Sequence, residues 1–280
     1  MVFRTFNVER IRITASGNSI TANPNNTIDL GSPTNSFKDA YLDGKIFIND
    51  TIFINSPGYK NTLLGLTLNS GITGAGNTFV GFQNGKNNTT GFSNVALGVS
   101  ALFNNTNRSN LIAIGDSALY NNGLGTTNSW DATGNIAIGS KALFANTTGN
   151  YNTANGFQSL YRNTTGGNNT ANGFQVLFNN TSGVDNIATG FHALFNVTSG
   201  DSNIAFGHYA GSNLTFGTNN IYIGNRGISS ESNVIRIGDN QASTHLVGSV
   251  ILSYDIAKNI TELSKKNKCK CYLVRSTRRY

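Results

Sequence analysis

Cleaving a glycosidic bond takes two carboxyl groups about 5–10 Å apart, one to deliver a proton and one to attack or to activate water. Between residues 71 and 240 the chain offers Asp116, Asp131, Asp185, Asp201, Glu231 and Asp239 for such work. Their intervals put them at different positions of the repeat set out below, or on distant copies of it, with Asp185 and Asp201 nearest to a shared register. That spacing constructs no acid pair, and acids in turns are commonplace. Of the histidines His192, His208 and His245, only the first two fall on neighbouring copies, where a metal held between chains competes with the plainer reading of surface histidines. Cys269 and Cys271 stand two apart in CKC, and two ligands do not complete a zinc site. No GxxxxGK phosphate loop occurs, and the many N-x-S/T triplets, Asn104 and Asn179 among them, follow from composition. These residues predict no catalysis, no cofactor and no metal.

Composition narrows the class. Only 12% of the 280 residues are charged, against roughly 25% in an average globular domain. Asn occurs 44 times and Gly 32 times, with Val, Ile, Phe, Tyr and Thr between them, a pattern of many short strands joined by Asn/Gly turns. The formal net charge is +7, but residues 258–280 hold eight Lys and Arg against Glu262 alone, so the tail carries 8 − 1 = +7. The other 257 residues hold 12 basic and 12 acidic side chains, leaving the body no net field with which to gather a polyanion. Nucleic acid is therefore not an expected partner of the body. MVFRTFNVERIRITASGN has no signal-peptide core and no window approaches 18 apolar residues, so no membrane span is expected.

A period of 17 residues organises the middle of the chain. The glycine ending each N-x-A-x-G, or its variants NTFVG, LIAIG, NIYIG and VIRIG, falls at Gly81, Gly98, Gly115, Gly139, Gly156, Gly173, Gly190, Gly207, Gly224 and Gly238. Seven of the nine steps are 17, and the step of 24 is one period plus a seven-residue insertion around LGTTNSWDATG. Relative to this anchor, Ala stands two before (Ala96, Ala137, Ala154, Ala188) and Asn four before (Asn94, Asn135, Asn152, Asn186). Leu follows four after (Leu102, Leu143, Leu160, Leu177), an aromatic five after, and Thr eight after (Thr89, Thr147, Thr164, Thr181). Each unit reads as a strand, a glycine bend, a short apolar strand and an Asn-Thr-Gly turn. A unit this short cannot bury its own core, so it must stack on its copies as one rung of a parallel β-solenoid. Leu and Phe/Tyr ladders are expected inside, with Asn amides bonded up and down the stack. In NIAIG, residues 135–139, Ile136 and Ile138 face one way and Ala137 the other. The small-residue face is expected to admit a neighbouring backbone and to pack three copies about an axis.

The segments NIAIGSKALF, NVALGVSALF and NIATGFHALF resemble the head repeats of trimeric autotransporter adhesins, the group typified by the Yersinia adhesin. The resemblance spans roughly residues 74–239, with a 17-residue period longer than is usual there. It implies a homotrimeric left-handed parallel β-roll that binds surface ligands without catalysis. TIDLGSPTNSFKDAYLDGKIFIND, residues 27–50, is similar to a segment of tail fibres and of fibre-like proteins of large DNA viruses. Residues 244–266 resemble the lead-in to the self-cleaving chaperone that often follows such repeats.

The expected organisation is an all-β chain: a fibre-like N-terminal β region over 1–70 with a hairpin in KIFINDTIFIN, solenoid head repeats over 71–240, a neck with a short helix over 241–263, and a basic tail over 264–280. Two surfaces are candidates for ligand contact. Phe82, Phe157, Phe174 and Phe191 directly follow their anchors and offer an aromatic stripe for sugar stacking if that column faces outward. Residues 124–133, with the sole tryptophan, Trp130, form the one non-repeating projection. The expected function is a trimeric fibre or spike protein on a virion surface, a rigid spacer with host glycan or protein attachment. Its partners would be sister chains and other virion proteins. The alternatives are a polysaccharide-degrading tailspike enzyme, a bacterial cell-surface adhesin and an ice-binding solenoid.

Overall fold

The computed structural model describes residues 61–65, 71–126 and 128–239, together with the backbone of five strands upstream. The expected neck helix and basic tail, with His245, Cys269 and Cys271, lie outside the described residues. Strands β1 (Val2–Thr5), β2 (Val8–Ile13) and β3 (Ile20–Ala22) form an antiparallel sheet; β4 (Lys45–Ile48) and β5 (Thr51–Asn55) pair as an antiparallel hairpin. Eleven three-residue strands follow: β6 (Thr62–Leu64), β7 (Thr78–Val80), β8 (Val95–Leu97), β9 (Ile112–Ile114), β10 (Ile136–Ile138), β11 (Thr153–Asn155), β12 (Thr170–Asn172), β13 (Ile187–Thr189), β14 (Ile204–Phe206), β15 (Ile221–Ile223) and β16 (Ile235–Ile237). Each pairs in parallel with the next. At about 4.8 Å per strand, ten steps make a solenoid roughly 48 Å long.

Equivalent residues lie over one another. Ala137 pairs with Ala113 below and Ala154 above, and the insertion between β9 and β10 does not shift the register. The parallel stack reaches one rung further upstream than the glycine count indicates: β6 pairs with β7, and Gly65, at φ +131°, sits as an anchor 16 residues before Gly81. Its unit, NTLLG, carries Leu63 in the alanine column, as other units carry Phe79 and Tyr222 there.

The anchors are glycine for two reasons. From Gly81 to Gly207 their φ lies between +122° and +137°, where L side chains rarely go. The next rung also leaves no room, since a Cβ on Gly139 would sit 2.5 Å from the carbonyl oxygen of Gly156.

The second apolar strand is absent. The leucine four after the anchor lies in a turn with a left-handed backbone, φ 49–54° from Leu102 to Leu194. Left-handed geometry costs roughly 1–2 kcal/mol per residue, whereas full burial of a leucine is worth about 1.5–3 kcal/mol, so burial wins. The turn also keeps its backbone bonds between rungs: Leu160 N–H donates to Val176 O at 2.9 Å and Gln175 N–H to Phe157 O at 2.9 Å.

The interior is narrow. The strand alanines, such as Ala137 and Ala154, and the leucines, such as Leu143 and Leu160, are fully buried. The small-residue face therefore points into the core, opposite leucine, and not toward another chain; the residues on either side of each alanine, such as Ile136 and Ile138 or Thr153 and Asn155, face outward. The aromatic column five after the anchor is half-buried and stacks along the axis, with centroids 4.9 Å apart for Phe103 and Tyr120 and 5.3 Å for Phe178 and Phe195.

Two buried asparagine ladders complete the core. In the first, Asn169 N–H donates to Asn152 Oδ1 at 3.0 Å, while Asn152 Nδ2 donates to Gly166 O at 2.8 Å on the rung above. In the second, seven after the anchor, Asn163 Nδ2 donates to Asn146 Oδ1 and Asn180 Nδ2 to Asn163 Oδ1. That ladder ends where Val197 takes the asparagine's place, and Asn180 Oδ1 is left buried without a partner. Outside, the threonine hydroxyls are engaged: Thr164 Oγ1 donates to Thr181 O at 2.9 Å and Thr181 Oγ1 to Thr198 O at 3.0 Å.

The two ends of the core are plugged by exchange of large and small residues. Gly85 replaces the leucine and Phe79 the alanine of one rung, and a Cβ on Gly85 would come within 2.7 Å of Phe79 Cδ2. At the other end Gly211 makes room for Tyr222 of the next rung, whose Cδ2 lies 2.8 Å from where its Cβ would be. Tyr222 Oη donates to Glu231 Oε1 at 3.0 Å, and Arg236 forks onto the same carboxylate, Nη2 to Oε2 at 2.7 Å. Burial, with the bond to Glu231, pushes the Tyr222 phenol up and keeps it neutral; the Arg236 guanidinium holds Glu231 below the usual carboxylate range.

Candidate ligand-binding surface

The insertion projects from a corner of the stack because its base is tied down. Elsewhere the position seven before the anchor is mostly glycine, but here it is Arg108, whose stem packs on Gly123, 2.8 Å from where a Cβ would be. Its Nη2 donates to Thr126 O at 3.0 Å, and its buried Nε has no partner. Within the loop, Thr126 Oγ1 donates to Asp131 Oδ2 at 2.5 Å, Trp130 N–H to Asn128 Oδ1 at 3.2 Å and Thr133 Oγ1 to Trp130 O at 3.0 Å. The loop is thus self-bonded, and it holds Trp130 with 75% of its surface in solvent.

Beside Trp130 lies a recess of about 340 Å³ formed with the corners of flanking rungs. Phe92, six before its anchor, is 51% exposed there, and Tyr151, five before its anchor, is 60% exposed. Tyr151 lies over Gly134, where a Cβ would meet Cδ1 at 2.7 Å. Asn107, Asn110 and Ser129 add polar groups to the same wall. The sequence singles out Trp130 but not the residues that line the recess with it. The signal was present, since Phe92 and Tyr151 stand in columns otherwise filled by small or polar residues such as Ser109, Asn150, Asn168 and Ser202.

The phenylalanine stripe is exposed, and it has a different character. Phe157 and Phe174 stack at 5.4 Å and 12°, Phe174 and Phe191 at 5.2 Å and 6°. His208 continues the row over Phe191 at 5.2 Å, and Phe82 stands apart, exposed, on a lower rung. Rings stacked along the axis turn their faces to each other and only their edges to solvent, so the stripe is not a face-on platform for a sugar. His192 sits beside the row, its ring 4.1 Å from Phe191 and its Nε2 2.8 Å from Gln175 Oε1. Burial, and then the neighbouring His208, hold its pKa below the ordinary histidine value.

The carboxylates are dispersed. Asp131 is bonded within the insertion, Asp201 Oδ1 accepts from Val184 N–H at 2.8 Å, and Glu231 joins Arg236. Asp239 accepts from Asn225 Nδ2 at 2.6 Å, while Asp116 and Asp185 are exposed in turns on separate corners. Among the described residues no three His, Cys, Asp or Glu converge as for a metal, and no helix is long and apolar enough to cross a membrane. No protein-family model matches the chain, and neither the curated proteins nor the solved structures give a significant match. The arrangement is that of a stiff rod with one rigid projection beside an aromatic recess.

Proposed function

We propose that the chain is one subunit of a homotrimeric fibre or spike on a virus particle, its solenoid serving as a rigid spacer that carries a host-attachment surface. The observation that carries this reading is the outward face of the parallel sheet. Val80, Ile138, Ile187, Ile204, Phe206, Ile223, Ile235 and Ile237 all lie exposed there, interrupted by a polar stretch at Thr170, Asn155 and Asn172. A row of apolar side chains along the length of one face is costly in water and is relieved by packing against another copy. Three copies about an axis along the rod cover it in a closed assembly. The likeness of the repeats to trimeric autotransporter adhesin heads supports the trimer and a left-handed sense for the roll. The likeness of residues 27–50 to tail-fibre segments supports the viral setting, with an N-terminal β region and a C-terminal neck as its ends. The reading assigns no catalysis; its partners are sister chains, other virion proteins and a host-surface glycan or protein.

Light scattering on the full chain, with chemical cross-linking, tests the assembly. Three times the chain mass is expected, and Ile187→Lys with Ile204→Lys should shift it toward monomer. A wild-type chain that stays monomeric at micromolar concentration overturns the reading. Release of new reducing ends from a capsular or algal polysaccharide would replace it with the depolymerase.

A further inference from the structure

We propose that the recess under the insertion binds a neutral saccharide, with Trp130, Tyr151 and Phe92 supplying ring faces and Asn107, Asn110 and Ser129 supplying hydrogen bonds. A pyranose is apolar over its C–H faces and polar around its rim, so its site needs open aromatic faces with amides or hydroxyls at the edge. Both are present. In contrast to the self-stacked phenylalanines, none of Phe92, Trp130 and Tyr151 takes part in a ring–ring contact among the described residues. The side chains of Asn110 and Ser129 likewise have no hydrogen-bond partner there, and Asn107 spends only its oxygen, which accepts from Thr106 Oγ1 at 3.2 Å. These are the groups a ring of hydroxyls satisfies, since each amide both donates and accepts.

Charge and size define the ligand further. None of the recess-lining residues is charged; nearby Arg108 is buried with its guanidinium on Thr126 O, and Asp131 accepts from Thr126. The recess therefore offers no counter-charge to a sialic acid or a sulfated sugar. A volume of about 340 Å³ is at the small end of the roughly 300–1,000 Å³ usual for ligand sites, which fits a short oligosaccharide terminus better than an extended chain. The walls come from the loop and from rungs held by the backbone bonds Asn110 N–H to Phe92 O at 3.2 Å and Tyr151 N–H to Thr133 O at 3.0 Å, so little ordering is required on binding. This inference deepens the attachment reading and rests on it for its biological setting.

Trp130 is the only tryptophan, so its fluorescence reports the site directly. The full chain is titrated with neutral oligosaccharides and with their sialylated and sulfated counterparts. A saturable change with at least one neutral member is expected, and weaker or absent response to the acidic forms. Tyr151→Ala should weaken binding by about tenfold with an unchanged melting temperature, Asn110→Ala should weaken it less, and Phe174→Ala should leave it as in the wild type. The proposal is overturned if no neutral sugar gives a saturable response. It is equally overturned if acidic forms bind better, or if Phe174→Ala removes a response that Tyr151→Ala keeps. Adhesion of the assembled protein to a panel of cells separates the two readings. Tyr151→Ala that loses the sugar but adheres normally refutes attachment through this site and leaves the sugar site standing. Loss of adhesion with no sugar bound refutes the sugar site alone.

Discussion

Replacing Asn163 by valine removes an amide from the middle of the second asparagine ladder. Asn163 Nδ2 donates to Asn146 Oδ1 at 3.0 Å and to Gly166 O at 2.9 Å, and its Oδ1 accepts from Asn180 Nδ2 at 2.9 Å. Two of the three former partners keep a bond: Gly166 O still accepts from Asn152 Nδ2, and Asn180 Nδ2 still donates to Gly183 O. Only Asn146 Oδ1 is newly stranded. A buried acceptor left unsatisfied costs about 1–3 kcal/mol, which for a folded unit of this size lowers the melting temperature by roughly 2–12 °C. The same substitution one rung higher has a different balance. Asn180→Val strands Asn163 Oδ1 but deletes Asn180 Oδ1, which is already unpartnered, so the number of orphan acceptors is unchanged. It also extends the apolar column begun by Val197, and it should be close to neutral. Calorimetric melting of the two variants beside the wild type measures the difference, and amide exchange at Leu160 and Leu177 localises it. Equal destabilisation by both substitutions would refute the orphan-acceptor argument, as would a neutral Asn163→Val.

Gly139→Ala, at φ +128° with its Cβ 2.5 Å from a carbonyl oxygen, should cost at least about 3 kcal/mol, whereas Gly125→Ala, at φ +76° with nothing within 4 Å, should cost only about 1 kcal/mol; paired urea titrations compare them. Phe79→Ala empties the end of the core and should cost about 3–5 kcal/mol, but adding Gly85→Leu, at a φ of +54° that matches the other leucines, should recover at least half, as a double-mutant cycle will read. Because Arg236 depresses the folded-state pKa of Glu231, its contribution is complete above the ordinary carboxylate pKa and is lost as pH falls through the lowered value. Acid should therefore loosen β15 and β16 before the middle rungs, seen as faster amide exchange at Ile221 and Gly238, whose N–H groups donate to Val234 O and Ile223 O, and Glu231→Gln should remove that pH dependence.

Why some of this was legible in the primary structure and some was not follows from particular columns. Alternation in NIAIG says that Ile136 and Ile138 oppose Ala137, but not which side is inside. The width of the solenoid decides that: opposite Leu143 there is room for a methyl group and no more. Leu-Phe runs read as strands because their side chains are apolar, yet the leucines are turn residues whose left-handed backbone is stabilised only by burial and by bonds to the adjacent rungs. The rung at Gly65 was hidden because Leu63 replaces the alanine and the step to Gly81 is 16 residues, so motif and period fail together there. Trp130 was visible as an exception within an insertion, while Phe92 and Tyr151 became its neighbours only once four rungs were stacked.

A recurring anchor glycine, with asparagine, alanine, leucine and threonine at constant offsets from it, determines by itself that the chain stacks in register, because identical units have identical backbones and bond best to one another. Which residues lie inside, which ring faces remain open, and that a recess exists beside the insertion were decided by the tertiary structure. Those properties depend on the volume left between layers, and that volume is set by many rungs at once.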